Sequence, residues 1–415
     1  STVKEIDSNA FNGCSSLKNI DLSNVEVVDS SAFSGCTSLT SVDLTNVTTL
    51  GSSAFNGCSA IADITLGEKL TSIGSSAFNG TAITEITIPR SVTALPGNVN
   101  TTLVSSSIFA NCVNLETVIL HDGITAIGTN TFSGCTALKT VKYVTASGEL
   151  IGEDGVATLN EGLLILGYGA FNGTAIESVI VPSTLTDIGH SSSSYTGVFA
   201  NCLNLKTVIY KSSSVAYKAS ASATSRTLAA NLFRGCTALE TVYMPDTITA
   251  LGSYIFYGCS ALKNVYTFSL NEHGEMVYDT LAEGVADISH MSEVGSYTFY
   301  GCQSIKSVIL CEDLTTISSN LFAYSGLESI DLHSKITTIS SGAFNYCLSM
   351  KSIVIPASAS NLSAAFDGWT AEQSVTIYIY ALDGDYSGSP STIIKNTDAK
   401  ITYEVVYQYT VTDDE

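Results

Sequence analysis

A phenylalanine that returns at a near-constant interval constrains this chain more than any other feature. It sits in the pattern A-F-x-G-C-x-x-[LI]-x-x-[IV]-x-[LI], complete at residues 54–66. Fourteen copies occur, at Phe11, Phe33, Phe55, Phe78, Phe109, Phe132, Phe171, Phe199, Phe233, Phe256, Phe299, Phe322, Phe344 and Phe366. Successive spacings are 22, 22, 23, 31, 23, 39, 28, 34, 23, 43, 23, 22 and 22 residues. The base period is therefore 22–23, with insertions producing the larger values. One such unit cannot bury its own apolar side, so neighbours must stack.

Within a copy, Leu39, Val42 and Leu44 point inward, and Val42-Asp43-Leu44 alternates as a strand does. A second inward pair follows, as at Leu70/Ile73, and Gly74 turns the chain. Ser-Ser-Ala-Phe is then expected to run into a short helical turn that buries the Phe. A period of 20–29 with L-x-x-[IV]-x-[LIV] inside it is the leucine-rich-repeat range. The expected fold is a right-handed leucine-rich-repeat solenoid of about 14 coils, with short β edges and short helical turns. It spans 1–370, with insertions at 96–106, 144–162, 190–197, 211–228 and 268–293. Residues 371–415 read as a β-rich C-terminal cap, or else a small separate domain.

The motifs Ile73-Gly74-Ser75-Ser76-Ala77-Phe78 and Ile86-Thr87-Ile88-Pro89 resemble the BspA-like, or Treponema-type, leucine-rich-repeat family. The resemblance covers about residues 3–370. It implies a bacterial or protist cell-surface protein linked to adhesion, including binding of host matrix proteins. Extracellular localisation follows from the same resemblance.

Composition narrows the partners. Asp and Glu number 38 against 17 Lys and Arg, a net charge of −21. That balance argues against nucleic acid and anionic membranes. No run of 18 apolar residues exists, so no transmembrane segment is expected. The start at Ser1, one step from a repeat, reads as a trimmed terminus. A monomer is assumed.

Ten of the eleven cysteines fall three residues after a repeat Phe; the other four copies place Thr81, Thr174, Ser325 and Trp369 there. A site that accepts Thr or Ser suits a buried unbridged thiol. Metal-ligand spacing is missing. Cys311 lies off this ladder and is expected to be exposed and reactive.

No catalytic signature is found: the five histidines lack H-E-x-x-H spacing, and no G-x-S-x-G elbow or phosphate loop follows a strand. No enzyme activity, cofactor or metal is expected. Asp383-Gly384-Asp385-Tyr386-Ser387 resembles half of a Ca²⁺ loop, but Ile394 stands where the bidentate Glu belongs.

Two insertions read as hairpins, one around Asp154-Gly155 and one across Ser269–Val277. The loops 144–162 and 268–293 are acidic and 211–228 is basic, which suggests that they lean together as a platform.

The candidate binding residues come from the strand pattern. The outward position runs Asp21, Asp43, Thr65, Thr87, Ile119, Lys142, Ile180, Ile209, Tyr243, Tyr266, Ile309, Asp331 and Val354. Ile119, Ile180, Ile209, Tyr243, Tyr266 and Ile309 would form an apolar stripe, and exposed stripes mark interaction sites. The leading expectation is a non-enzymatic surface protein that uses this stripe and the rim loops to bind an extracellular-matrix-type protein. The alternatives are a spacer or surface-layer scaffold whose stripe is covered by the insertions, and a glycan-binding module. Simple β-propensity would also place Ile and Tyr there.

Overall fold

The computed structural model describes residues 2–95, 106–189, 196–211, 227–359, 362–382 and 399–408. The chain divides into two compact units, Ser1–Ala221 and Ser222–Glu415. Each is a parallel β-solenoid whose coils have three walls.

The first wall carries the L-x-x-[IV]-x-[LIV] strands. In the first unit, Ser41–Leu44 pairs with Asp63–Leu66. A second run stacks Glu85–Thr87, Thr117–His121, Thr140–Val144, Val156–Thr158, Ser178–Val181 and Thr207–Tyr210, all parallel. In the second unit the wall contains Thr241–Pro245, Asn264–Leu270, Val285–Ile288 and Ser307–Leu310. It also contains Ser329–Asp331, Ser352–Pro356, Ser374–Leu382 and Lys400–Gln408. The last two strands thus extend the wall in parallel register, through Ile353, Ile377 and Tyr403. The second wall is made of two-residue strands such as Thr49–Leu50 and Ser72–Ile73.

The third wall is not helical. Among the described residues the one helical element is the short 3₁₀ turn Leu362–Ala364. Around Phe55 the chain makes successive four-residue turns: Asn56 N–H donates to Ser53 O at 3.1 Å and Cys58 N–H to Phe55 O at 3.2 Å. The alternate amides of Ser53, Phe55 and Gly57 donate to Ser75, Ala77 and Asn79 of the next coil at 2.7–2.8 Å. A helix would spend every N–H inside its own turn. Splitting them needs left-handed residues, and Ser53 (φ 57°) and Gly57 (φ 73°) supply these. The G of A-F-x-G-C therefore answers a left-handed backbone position, which Asn111, Asn201, Tyr324 and Tyr346 fill in other copies, and the turn wall is a third hydrogen-bonded ladder.

The repeat phenylalanines form a column behind this wall, half-buried at Phe11 and buried from Phe33 onward. In the first unit, neighbours from Phe11 to Phe199 stack with centroids 5.1–5.8 Å apart. In the second unit, Phe233 to Phe366 continue likewise at 5.3–5.9 Å, and Trp369 closes on Phe366 edge-on.

All eleven cysteines are free thiols, as the spacing indicates. The ladder thiols donate to the Phe carbonyl of the preceding coil: Cys58 Sγ to Phe33 O at 3.0 Å, Cys302 to Phe256 O at 3.2 Å, Cys347 to Phe322 O at 3.1 Å. Trp369 makes the same bond, Nε1 to Phe344 O at 3.0 Å. Thr81 and Thr174 instead donate to Phe78 O and Phe171 O of their own turns at 3.0 Å. Cys311 corrects the expectation of exposure: it is 8% exposed and belongs to the core.

Burial pushes the Cys347 thiol up to about 12; Cys259 and Cys302 are raised by the same cause. Their neutral form is the folded form. An unfolded thiol ionises near ~8.5. Stability is therefore complete below that pH and falls above it, by about 1.4 kcal/mol per pH unit per thiol until the folded value is reached. The melting temperature should fall steeply between about pH 9 and 11, and Cys347→Ser should flatten the slope. Equal slopes in the two proteins would contradict this account. A thiol reagent at neutral pH should label one exposed ladder cysteine, Cys14, and all eleven after unfolding.

Candidate functional site

The strand wall carries the candidate residues, and the two units hold them differently. In the first unit, Ile119, Ile180 and Ile209 all project from the wall and are half-buried. They are not consecutive rungs. Residues 144–162 were expected to leave the rim as a loop, but they return to the wall: Val156–Thr158 inserts between Thr140–Val144 and Ser178–Val181. The short-strand wall has no matching layer, since Ala126–Ile127 pairs directly with Ile165–Leu166. The added strand places Thr158 beside Ile180, and Thr158 is buried. Gly152 lies over Lys142 and Thr158; a Cβ there would meet Lys142 Cγ at 3.0 Å and Thr158 Cβ at 3.3 Å. The insertion thus covers the wall between Ile119 and Ile180.

The hairpin also sits elsewhere than Asp154-Gly155. It pairs Tyr143–Val144 with Leu150–Ile151 and turns at residues 145–149. Arg90 straps it down: its guanidinium meets Asp122 Oδ1 at 2.9 Å and donates to Val144 O at 3.0 Å and to Thr145 O. That contact holds the Asp122 carboxyl below the usual carboxylate range.

In the second unit, Tyr243 and Tyr266 are in register and stack at 4.9 Å. Tyr278, from the insertion, sets its ring against both, with centroids 5.3 Å away. Tyr278 is itself 42% exposed. The hairpin read across Ser269–Val277 is present, pairing Ser269–Leu270 with Met276–Val277. Here too the insertion returns as a strand, Val285–Ile288, which puts Asp287 in register with Ile309. Ile309 is 44% exposed but is separated from the tyrosines by that carboxylate. An unbroken apolar stripe is therefore not what either unit presents.

The expected loop platform is described in part. Lys211 pairs with Glu161 at 3.3 Å in the first unit. In the second, Glu283 pairs with Lys263 of the regular coil at 3.7 Å. Lys218, Arg226 and the possible Ca²⁺ loop at 383–389 lie outside the described residues.

Several features escape the pattern reading. Opposite charges alternate on neighbouring coils just before the strand: Glu116–Lys139 and Glu177–Lys206 at 2.8 Å, Glu240–Lys263 at 3.3 Å, and Glu328–Lys351. A Glu or Lys straight after the buried apolar residue, as in Leu115-Glu116, Leu138-Lys139, Ile176-Glu177 and Met350-Lys351, is the signal that could have found them. A cleft of about 360 Å³ opens where Asp63–Leu66 and Glu85–Thr87 fail to pair, lined by Asp63, Thr65, Glu68, Glu85 and Thr87. Exposed Glu5, Asp7 and half-buried Asp29 bring carboxylate oxygens within 4.8 Å of one another.

The two core-phase histidines are structural. His121 Nε2 donates to Val92 O at 2.9 Å while Nδ1 accepts from Gly123 N–H at 3.1 Å. His333 does the same with Cys311 O at 2.7 Å and Lys335 N–H at 3.3 Å.

Coils of this length, with a Phe column and a hydrogen-bonded turn ladder, define a leucine-rich-repeat protein. A family model for the BspA type leucine rich repeat region matches in six copies, over residues 1–102, 96–154, 156–225, 214–283 and 285–378. The chain belongs to that family. Among solved structures it is similar to a leucine-rich repeat protein from Bacteroides ovatus, with 22% identity and TM-score 0.60 over 91% of this chain and 87% of that one. It is also similar to a leucine rich cell surface protein from Faecalibacterium prausnitzii, with 22% identity and TM-score 0.45 over 94% and 84%. A third is a leucine-rich repeat protein from Eubacterium ventriosum, with 20% identity and TM-score 0.41 over 74% and 82%. No curated protein matches. No catalytic family is indicated. No described helix is long and apolar enough to cross a membrane.

Proposed function

We propose that this protein is a non-enzymatic cell-surface scaffold that binds another protein through the strand walls of its central coils. The observation that carries the reading is the Tyr243–Tyr266–Tyr278 cluster. Tyr243 and Tyr266 stack on the strand wall, and Tyr278 from the insertion packs against both while itself 42% exposed. Aromatics held this way are the residue type that dominates binding energy at protein interfaces. Ile309 in the same unit, and Ile119, Ile180 and Ile209 in the first, are the further contacts of this reading. Family membership supports a surface location and protein binding in general; an adhesive role toward matrix proteins is the finer part of the proposal.

The test is a binding screen against a panel of extracellular-matrix proteins and mucin-type glycans. It compares the parent with Tyr243→Asp/Tyr266→Asp and with Ile180→Asp/Ile209→Asp, each first shown to unfold at the parent's temperature. Saturable protein binding weakened tenfold or more by either pair supports the strand-wall reading, about 1.4 kcal/mol or more. Binding untouched by both pairs refutes it, and glycan binding alone moves the protein to another class.

A further inference from the structure

The strand wall of the first unit has a gap in it. Asp63–Leu66 pairs with Ser41–Leu44 on one side, and Glu85–Thr87 pairs with Thr117–His121 on the other, but the two do not pair with each other. Across the gap their Cα atoms lie mostly more than 8 Å apart, where a paired sheet has strands about 4.8 Å apart. The turn wall of the same two coils is closed: Phe55 N–H donates to Ala77 O and Gly57 N–H to Asn79 O, both at 2.8 Å. Ala82 N–H still reaches Ile61 O at 2.8 Å just before the strands. Beyond that point the coils part around the cleft of about 360 Å³.

Charge accounts for the gap. Asp63 and Glu85 hold the same repeat position and would lie directly opposite each other if the strands paired. Like charges so placed are destabilising. Other coils of the unit put Asn19, Ser41, Thr117, Thr140 or Ser178 there. The backbone is left short of bonds: Thr117 N–H donates back to Thr84 O at 3.2 Å, while the equivalent bond from Glu85 to Ala62 is not made. Core positions are uncovered as well. Ile64 and Leu66 are half-buried, whereas their equivalents Val42, Leu44, Ile86 and Ile88 are 4% exposed or less. A break in pairing does not do this by itself. In the second unit pairing also stops between Ser307–Leu310 and Ser329–Asp331, yet Val308 and Leu310 stay buried.

These features select one kind of guest. Open strand edges on both sides take an extended chain, which adds as a strand through its own backbone. Side chains of a strand alternate between its two faces. On the inner face the guest meets Ile64 and Leu66, so alternate residues are apolar. On the outer face it meets the carboxylates of Asp63 and Glu85, with Glu68 beyond them and no Lys or Arg among the lining residues. Arg90 gives Glu68 only its backbone N–H, at 3.2 Å, and sends its guanidinium to Asp122. The outward residues of the guest are therefore basic, and their charge offsets the opposition that keeps the wall open.

We propose that this gap binds an extended segment of a partner protein in which apolar and basic residues alternate, completing the strand wall. The gap shares no residue with the tyrosine cluster or the isoleucines above, so either proposal can fail alone. The probe is a fluorescent, end-capped Val-Lys-Val-Lys-Val-Lys peptide, followed by anisotropy with the full chain at low salt. The variant is Asp63→Thr/Glu85→Thr, which installs a residue other coils already use. It should unfold at the parent's temperature or above. The charge control is Glu5→Gln/Asp7→Asn, which removes two exposed carboxylates elsewhere in the unit. The expected result is saturable binding by the parent and the control, and at least tenfold weaker binding by Asp63→Thr/Glu85→Thr. Hydrogen exchange of the parent needs no variant: the amides of Ile64, Leu66, Glu85 and Thr87 should exchange more slowly with peptide bound. No binding by the parent, equal binding by Asp63→Thr/Glu85→Thr, or unchanged exchange at those amides overturns the proposal. So does equal binding of Val-Val-Val-Lys-Lys-Lys, which would reduce the attraction to net charge. Self-association that Asp63→Thr/Glu85→Thr abolishes, without peptide binding, would make the occupant a second copy and overturn it too.

Discussion

Replacing Gly74 by valine should unfold the first unit at a temperature lower by roughly 10 °C or more, corresponding to a loss above about 4 kcal/mol in a domain of this size. Gly74 follows Ser72–Ile73 and sits on Gly51 of the preceding coil. A Cβ on it would lie 2.4 Å from both Gly51 C and Ser52 N. Those are backbone atoms, so no rotamer change relieves the clash. The coils are also tied there, because Gly74 N–H donates to Leu50 O at 2.8 Å and Ser72–Ile73 pairs with Thr49–Leu50. Relief requires the coils to separate, which breaks the short-strand ladder where nearest-neighbour contacts supply the stability. Gly57→Ala is the control. Gly57 has a positive φ of 73° but open space around the added carbon, so it should cost only the left-handed penalty, about 1–2 kcal/mol. Thermal and urea unfolding of the full chain distinguish the two. Equal losses would mean that backbone approach is not what Gly74 provides.

Phe132→Ala should cost about 3–5 kcal/mol, the range for removing a buried aromatic ring. Phe132 is fully buried and stacks on Phe109 at 5.6 Å and Phe171 at 5.4 Å. Its removal opens a gap between rings whose backbones are fixed by the turn ladder, through Phe132 N–H to Ala170 O at 2.8 Å. Collapse around the gap is therefore small and the loss belongs at the upper end. Because coils interact with their neighbours, the column is cut into two shorter stacks. Urea unfolding followed by hydrogen exchange should show residues 109–171 opening before the rest of the first unit. A single transition with an unchanged midpoint would refute the view of the column as the core of the unit.

The repeat, the free thiol ladder and the inward strand residues were legible in the sequence because each is a periodic choice of side chain. Periodicity reports burial, and burial is what stacking demands. The turn wall was misread as helical for a related reason. Ser-Ala-Phe has acceptable helix propensity, and only the destination of alternate amides, half of them in the next coil, excludes a helix. The left-handed Ser53 and Gly57 mark it, yet Ser carries no such signal by itself.

The candidate stripe was legible in phase but not in order. Counting outward positions located Tyr243 beside Tyr266 and Ile180 beside Ile209, and both pairs are in register. It did not foresee that the insertions return as strands, placing Thr158 next to Ile180 and Asp287 next to Ile309. An inserted strand carries no repeat Phe, so a count keyed to Phe skips it. Asp63 and Glu85 are visible as letters in one repeat phase, but the gap between their strands exists only between coils.

From its sequence alone, this protein is determined to be a leucine-rich-repeat solenoid, because a 22–23-residue unit with one apolar side has no other way to bury it. Tertiary structure decided which rungs are neighbours, what the insertions cover and where aromatic rings meet solvent. Those are contacts between residues 22 to 55 positions apart, as in Thr158 beside Ile180 and Arg90 on Thr145, set by how backbones approach, and no local pattern of side chains records them.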